Sequence, residues 1–172
     1  MGITTRHITG LFIAILIAVA DQATKYLAFE YLTTLPIPVM PVTSFFNLVM
    51  VRNYGVSFGM FSNLVYGDII LTTLTIAITA ALIIWLIKSD DRITISALGL
   101  IIGGAIGNIT DRIRDGGVAD FLDFHLAGYH WPAFNLADSA IFVGVVLIIF
   151  EPYLHKRHKG EAHENTKDSD SS

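Results

Sequence analysis

Cysteine is absent from the 172 residues, which excludes disulfides, thiolate nucleophiles and cysteine-ligated metals together and is compatible with either side of a membrane. Charge is scarce as well. Only 15% of the residues are Asp, Glu, Lys or Arg, against 53% hydrophobic, a balance foreign to a soluble domain of this length and typical of a polytopic membrane protein. The formal net charge of -4 says little about partners, because much of the acid lies between Glu161 and Asp170, and no nucleic acid partner is expected.

What the chain has instead is long apolar runs. Four segments, about Ile8 to Leu32, Leu64 to Ile87, Ile93 to Ile109 and Ala133 to Leu154, compare with the ~20 residues a helix needs to cross ~30 Å of hydrocarbon. Four spans put both ends on one side. Arg6, Lys88, Arg92, Lys156, Arg157 and Lys159 flank that side, whereas only Arg52, Arg112 and Arg114 lie on the other, so both termini are expected in the cytoplasm. Arg6, the run Leu11 to Val19 and Ala18-Val19-Ala20 also have the form of a cleavable signal peptide. Apolar character resumes after Asp21 and continues through Tyr31, so a permanent first anchor is expected.

The expected fold is therefore membrane all-α, with four transmembrane helices, a small β-sheet and a short interfacial helix on the outer, periplasmic face. The β-branched and aromatic residues of Val42 to Val51, and the alternation of Val118 to His125, favour strands. Pro36, Pro38 and Pro41 space an extended approach to the first of them. The short helix is expected near Val56 to Phe61, with Phe and Met side chains at the interface. Residues 1–154 read as one membrane domain with outer loops 33–63 and 110–132. Residues 155–172, polar and without periodicity, read as a disordered cytoplasmic tail.

Carboxylates at the edge of a hydrocarbon layer are expensive to ionise and mark function by default. Asp120, in Val118-Ala119-Asp120-Phe121, and Asp138, in Asn135-Leu136-Ala137-Asp138, bracket the entry to the fourth run. Together they suggest acid–base chemistry. Asp138 follows Pro132 by six residues, which puts it about 9 Å along an ideal helix beginning there. Asp21 and Lys25 are spaced i, i+4 and can neutralise each other on one face of the first helix. Asn108, Asp111 and Arg112 are spaced i, i+3, i+4 and should present amide, carboxylate and guanidinium to one spot, while Asn135 shares a face with Asp138. Arg52 and Asn53 end the first strand beside Tyr54-Gly55, a spacing that alone signals only a turn. Gly99, Gly103 and Gly107 form two small-xxx-small spacings, read as helix packing.

Taken in order, Asp21-Gln22-Ala23-Thr24-Lys25, Arg52-Asn53-Tyr54-Gly55-Val56-Ser57-Phe58, Gly107-Asn108-Ile109-Thr110-Asp111-Arg112, Val118-Ala119-Asp120-Phe121 and Phe134-Asn135-Leu136-Ala137-Asp138-Ser139 resemble the motif set of the bacterial lipoprotein signal peptidases, also called signal peptidase II. The resemblance implies an aspartic endopeptidase of the bacterial inner membrane, with its active site near the periplasmic face. Such an enzyme removes the signal peptide from diacylglyceryl-modified prolipoproteins, cutting just before the lipidated cysteine. Carried over residue by residue, it makes Asp120 and Asp138 the catalytic pair, and Asn53, Asn108, Arg112 and Asn135 the residues that line the site and hold the substrate backbone. Asp21, Lys25 and Asp111 are supporting residues. No cofactor and no metal are implied; the expected partners are lipidated prolipoprotein signal peptides and membrane lipid, and the chain is expected to be a monomer.

Two readings of other classes remain. Asp115, Asp120, Asp123 and His125, with His130 nearby, could serve a metal-dependent membrane transferase or phosphatase. Alternatively, Asp21 and Asp138 could be relay carboxylates of an ion-coupled transporter. The polar residues gather at one membrane face and not at the midplane, which counts against transport.

Overall fold

The computed structural model describes residues 4–55 and 67–169, with 67–68 and 154–169 described by backbone alone. Helices α1 (Thr5–Thr33), α2 (Gly67–Lys88), α3 (Arg92–Asp115) and α4 (Leu136–Ser169) carry the apolar runs. Strands β1 (Val39–Thr43), β2 (Phe46–Asn53), β3 (Val118–Leu126) and β4 (Tyr129–His130) form an antiparallel sheet in that spatial order. Each helix contains a stretch long and apolar enough to span a bilayer: Thr5–Thr33, Ile69–Lys88, Arg92–Asp115 and Leu136–Tyr153. The chain is a multi-pass membrane protein, as its composition requires.

The centre of the bundle is α3. In its most apolar stretch 61% of residues are buried, against 17% in each of the other three, so α1, α2 and α4 turn most of their apolar surface outward. Lipid-facing residues such as Phe12, Ile15, Ile70, Leu74, Phe142 and Ile149 are accordingly exposed. Glycine makes the central position possible. A Cβ on Gly99 would meet the carbonyl oxygen of Gly10 at 2.5 Å, one on Gly103 the carbonyl oxygen of Ala14 at 2.5 Å, and one on Gly107 the carboxylate of Asp21. The expected packing stripe is therefore the α1–α3 seam, where bare backbone lets the helices close up. On the other side of α3, a Cβ on Gly104 would strike the carbonyl oxygen of Ala137 in α4.

The end of the bundle away from the sheet is tied by polar contacts to the α2–α3 turn. Arg6 donates to the Asp90 carbonyl oxygen at 2.8 Å, and His7 Nε2 lies 3.0 Å from that of Ser89. Asp91 caps α3 by accepting from the Thr94 N–H at 2.7 Å.

Several element boundaries differ from the sequence expectation, each for a local reason. The single strand expected over Val42 to Val51 is a hairpin, because Thr43 Oγ1 accepts from the Phe45 N–H at 3.3 Å and turns the chain between β1 and β2. Helix α3 does not end at Ile109 but runs on to Asp115, where Gly116 takes φ 72°, the left-handed cap that glycine adopts freely. Helix α4 begins at Leu136, not Ala133, which puts Asp138 in its first turn and not ~9 Å along it. The tail after Leu154 is read from sequence as disordered, whereas α4 continues as helix to Ser169. A helix nucleated by a span adds residues at little cost, and Lys, Arg, Glu and Ala are good helix formers. The short helix expected near Val56 to Phe61 lies outside the described residues.

Candidate active site

The sheet brings the first polar group to Asp120. Register pairs Arg52 with Ala119 and Asn53 with Val118 across β2 and β3, which sets the Asn53 amide beside the Asp120 carboxylate. Asn53 Nδ2 donates to Asp120 Oδ2 at 3.1 Å, and Asn53 Oδ1 accepts from the Gly55 N–H at 3.1 Å. The turn that sequence alone would assign to Asn53 and Gly55 is present, but the same side chain also serves the carboxylate. Arg52 fixes this strand end: it pairs with Asp115 at 3.0 Å, donates to the Gly117 carbonyl oxygen at 3.3 Å and lies over the Phe29 ring.

Asn135 supplies the second. An isolated antiparallel bridge between Leu122 and Phe134 fastens β3 to the segment that enters α4. Asn135 then caps α4, its Oδ1 accepting from the Asp138 N–H at 2.9 Å while Asp138 Oδ2 accepts from the Asn135 N–H at 3.3 Å, a reciprocal capping box. Its Nδ2 points the other way and donates to Asp120 Oδ1 at 2.7 Å. One fully buried asparagine therefore touches both aspartates. From α3, Asn108 Nδ2 donates to Asp138 Oδ1 at 2.8 Å.

All four carboxylate oxygens of Asp120 and Asp138 thus accept from an amide, and no cation bonds either group among the described residues. Amide donors stabilise a negative charge without cancelling it. Asp120 is 2% exposed. Its pKa is pushed up to about 7, first by burial and then by the neighbouring Asp138 charge, against lowering by Asn53, Asn135 and Lys25. A carboxyl so placed exchanges its proton near neutral pH.

Both aspartates open on a cavity of about 930 Å³. Its polar floor is Asn53, Asn108, Arg112, Asp120 and Asp138, and its walls include Trp131, Phe134, Ile141 and Phe142. Phe142 is 69% exposed, so the apolar lip faces out from the bundle. These wall residues were not among the sequence candidates. For Ile141 and Phe142 the signal is their i+3 and i+4 spacing from Asp138, whereas Trp131 and Phe134 carry none.

The remaining candidates sort into separate groups. Asn108, Asp111 and Arg112 do not present to one spot: Asn108 faces Asp138, Arg112 lines the cavity, and Asp111 turns toward α1. There Lys25 Nζ lies 2.7 Å from Asp21 Oδ2 and 2.8 Å from Asp111 Oδ2, with every partner at least 97% buried. The pairing expected of Asp21 and Lys25 is present and enlarged by a second carboxylate. The four side chains of the metal reading are scattered. Asp115 is held by Arg52 and Arg114, while His130 Nδ1 lies 2.9 Å from both oxygens of Asp123, with the His125 ring stacked 4.8 Å away. The Asn47 amide also donates to Asp123, and although burial opposes ionisation there, these hydrogen bonds hold its pKa below the usual carboxylate value. Among the described residues no three His, Asp or Glu side chains are disposed to hold an ion.

Residues 13–154 match the family model described as signal peptidase (SPase) II. The chain belongs to the signal peptidase II family. Its relatives include the lipoprotein signal peptidase of Francisella tularensis subsp. mediasiatica (strain FSC147), 45% identical over 87% of this chain and 94% of that one. The lipoprotein signal peptidase of Hydrogenovibrio crunogenus is 40% identical over 94% and 95% of the two chains. A solved bacterial membrane enzyme structure obtained by the in meso method is similar with a TM-score of 0.73 at 34% identity, over 88% of this chain and 91% of its own. This family member is a membrane-embedded peptidase, and the transferase and transporter readings are not favoured.

Proposed function

We propose that this peptidase removes signal peptides from diacylglyceryl-modified prolipoproteins, with Asp120 and Asp138 as the catalytic pair. The observation that carries the reading is the bridging Asn135, which holds both carboxylates on one cavity with amide donors alone. Two like charges at close quarters in a buried site do not both ionise, so the pair shares one proton. The ionised carboxyl takes a proton from water as the oxygen attacks the scissile carbonyl, and the protonated one hydrogen-bonds the carbonyl oxygen as charge builds there. On collapse, the first returns its proton to the leaving amine. No covalent enzyme intermediate and no metal takes part.

Geometry supports a division of labour. Asp138 sits in the first turn of α4, where the helix dipole favours a negative charge, which suits it to be the base. Asp120, with its raised pKa, suits the acid. Arg112, half-buried on the cavity wall, and the amides of Asn53, Asn108 and Asn135 are placed to meet a substrate backbone. A signal peptide must unwind at the cut, freeing peptide groups that cost several kcal/mol each in hydrocarbon unless they are met. The exposed apolar lip at Phe142 gives such a helix, and the acyl chains beyond it, a lateral way in from lipid.

The excess of Lys and Arg near the ends of the chain supports cytoplasmic termini in the bacterial inner membrane, with the sheet and the site on the periplasmic side. In this reading the chain works as a monomer, since one copy supplies both aspartates. The test is incubation of the purified protein with a diacylglyceryl-modified precursor, with and without a chelator. Cleavage before the lipidated cysteine in both samples supports the reading, and product only in the chelator-free sample removes it.

A further inference from the structure

The catalytic reading leaves one buried charge cluster unused. Lys25 is 2% exposed inside the bundle, and all three of its N–H donors are engaged: by Asp21 Oδ2 at 2.7 Å, Asp111 Oδ2 at 2.8 Å and Asn108 Oδ1 at 3.0 Å. No donor is left for a substrate. Three ionised groups held in a membrane bundle are a large desolvation burden for a protein that could pack its helices with glycine and leucine alone.

The further bonds of the two carboxylates explain the placement. Asp21 Oδ1 accepts from the Ala137 N–H at 2.9 Å, and Asp111 Oδ2 accepts from the Ala119 N–H at 3.2 Å. Ala137 is the residue immediately before Asp138, and Ala119 the residue immediately before Asp120. One ammonium on α1 therefore grips, through one carboxylate each, the backbone that presents each catalytic aspartate. Its third donor orients the Asn108 amide, whose Nδ2 is thereby turned to Asp138. Gly107 belongs to the same device, because a side chain there would strike the Asp21 carboxylate.

We propose that Lys25 is a positioning residue of the cleavage reaction: held between Asp21 and Asp111, it fixes the backbone before Asp138 and before Asp120 and so sets the gap across which the two carboxyls share a proton. The inference rests on the catalytic reading given above. The gap is measurable, because the separation of the two macroscopic pKa values of a coupled pair grows as the carboxyls approach. In a bell-shaped profile of kcat against pH, that separation is the width of the bell. The groups acting on Asp120 are Asp138 from α4, Lys25 from α1, Arg112 from α3, and the amides of Asn53 and Asn135; those acting on Asp138 are Asp21 and Lys25 from α1, Arg112 and the Asn108 amide from α3, and Asn135. Removing the Lys25 charge shifts the limbs electrostatically as well, through Lys25 itself and through the uncovered Asp21, so the width in the charge-conserving Gly107→Ala decides. Loosening the gap brings the limbs toward each other.

The experiment compares Lys25→Met and Gly107→Ala with the wild type, in detergent, on the diacylglyceryl-modified precursor. Gly107→Ala crowds Asp21 while keeping every charge, so it separates position from electrostatics and serves alone if Lys25→Met fails to accumulate. The expected result is a kcat lower by about a hundredfold, the order of effect of a small misplacement of reacting groups. The bell narrows by about one pH unit, with KM within about threefold of wild type. A bell of unchanged width in Gly107→Ala overturns the inference, whatever the loss of rate. Full activity of Asp120→Asn or Asp138→Asn would instead overturn the catalytic reading itself, so the two failures are distinguishable.

Discussion

Two pairs of carboxylates lie side by side at the sheet end of the bundle, three of the four buried and Asp138 partly so, and they are compensated in opposite ways. Asp21 and Asp111 close on the Lys25 ammonium, with both acids fully buried, and each also accepts a backbone N–H. Asp120 and Asp138 receive amides only and face an open cavity. A pair with a cation between its members holds its charges and serves as a brace. In the proposed mechanism the pair without one shares a proton, and a shared proton beside an open cavity suits acid–base cleavage. Proximity to lipid does not separate the two; the presence of the ammonium does.

The contrast can be broken most sharply at the open pair. Asp120→Asn and Asp138→Asn each remove one titrating member, and precursor cleavage is expected to fall by about 10⁴-fold or more, as when one member of a concerted catalytic set is lost. The variants should still insert, readable by membrane fractionation, with at most a small fall in thermal midpoint, since in each an amide NH2 replaces one oxygen that accepts from an N–H. Next in size is Asn135→Ala, which removes the contact common to both aspartates and the cap of α4. A loss of about 1–3 kcal/mol in stability is expected for the unpaired groups, along with a large fall in kcat, readable by denaturation and turnover on one preparation.

A smaller effect sharpens the comparison through pH. Asn53 lowers the Asp120 pKa, so Asn53→Ala should raise it further above about 7. Because that proton is needed for the acid role and is lost as pH rises, the alkaline limb of the kcat profile should move to higher pH in this variant. A move downward would contradict the assignment of that limb to Asp120. The smallest effect is expected at the third acidic site. His130 is more than half exposed against Asp123, and an ion pair of that kind is worth about 0–1 kcal/mol. His130→Ala should leave cleavage and the thermal midpoint nearly unchanged.

Much of this contrast was legible in the sequence and part of it was not. The spans are long and apolar, so hydropathy finds them, and α3 advertises its central place through Gly99, Gly103 and Gly107. Asp120 and Asp138 stand out because carboxylates are rare at a membrane edge. What spacing could not supply is direction. Asp111 and Arg112 are neighbours in sequence, yet the helix turns one toward Lys25 and the other into the cavity. Nor could sequence show that Asn135 reaches across to Asp120, because that contact depends on the Leu122–Phe134 bridge between segments of different type. The start of α4 departs from the sequence expectation for a related reason: Pro132 looks like the boundary, but the capping box of Asn135 and Asp138 sets it.

The most direct test of the shared proton is infrared titration of the carboxyl groups, recorded as the difference between wild type and Asp120→Asn. A single protonated carboxyl in the wild type at mildly acid pH, titrating near the Asp120 value of about 7 and absent from Asp120→Asn, is the result predicted. Two carboxylates both ionised well below neutral pH would contradict it.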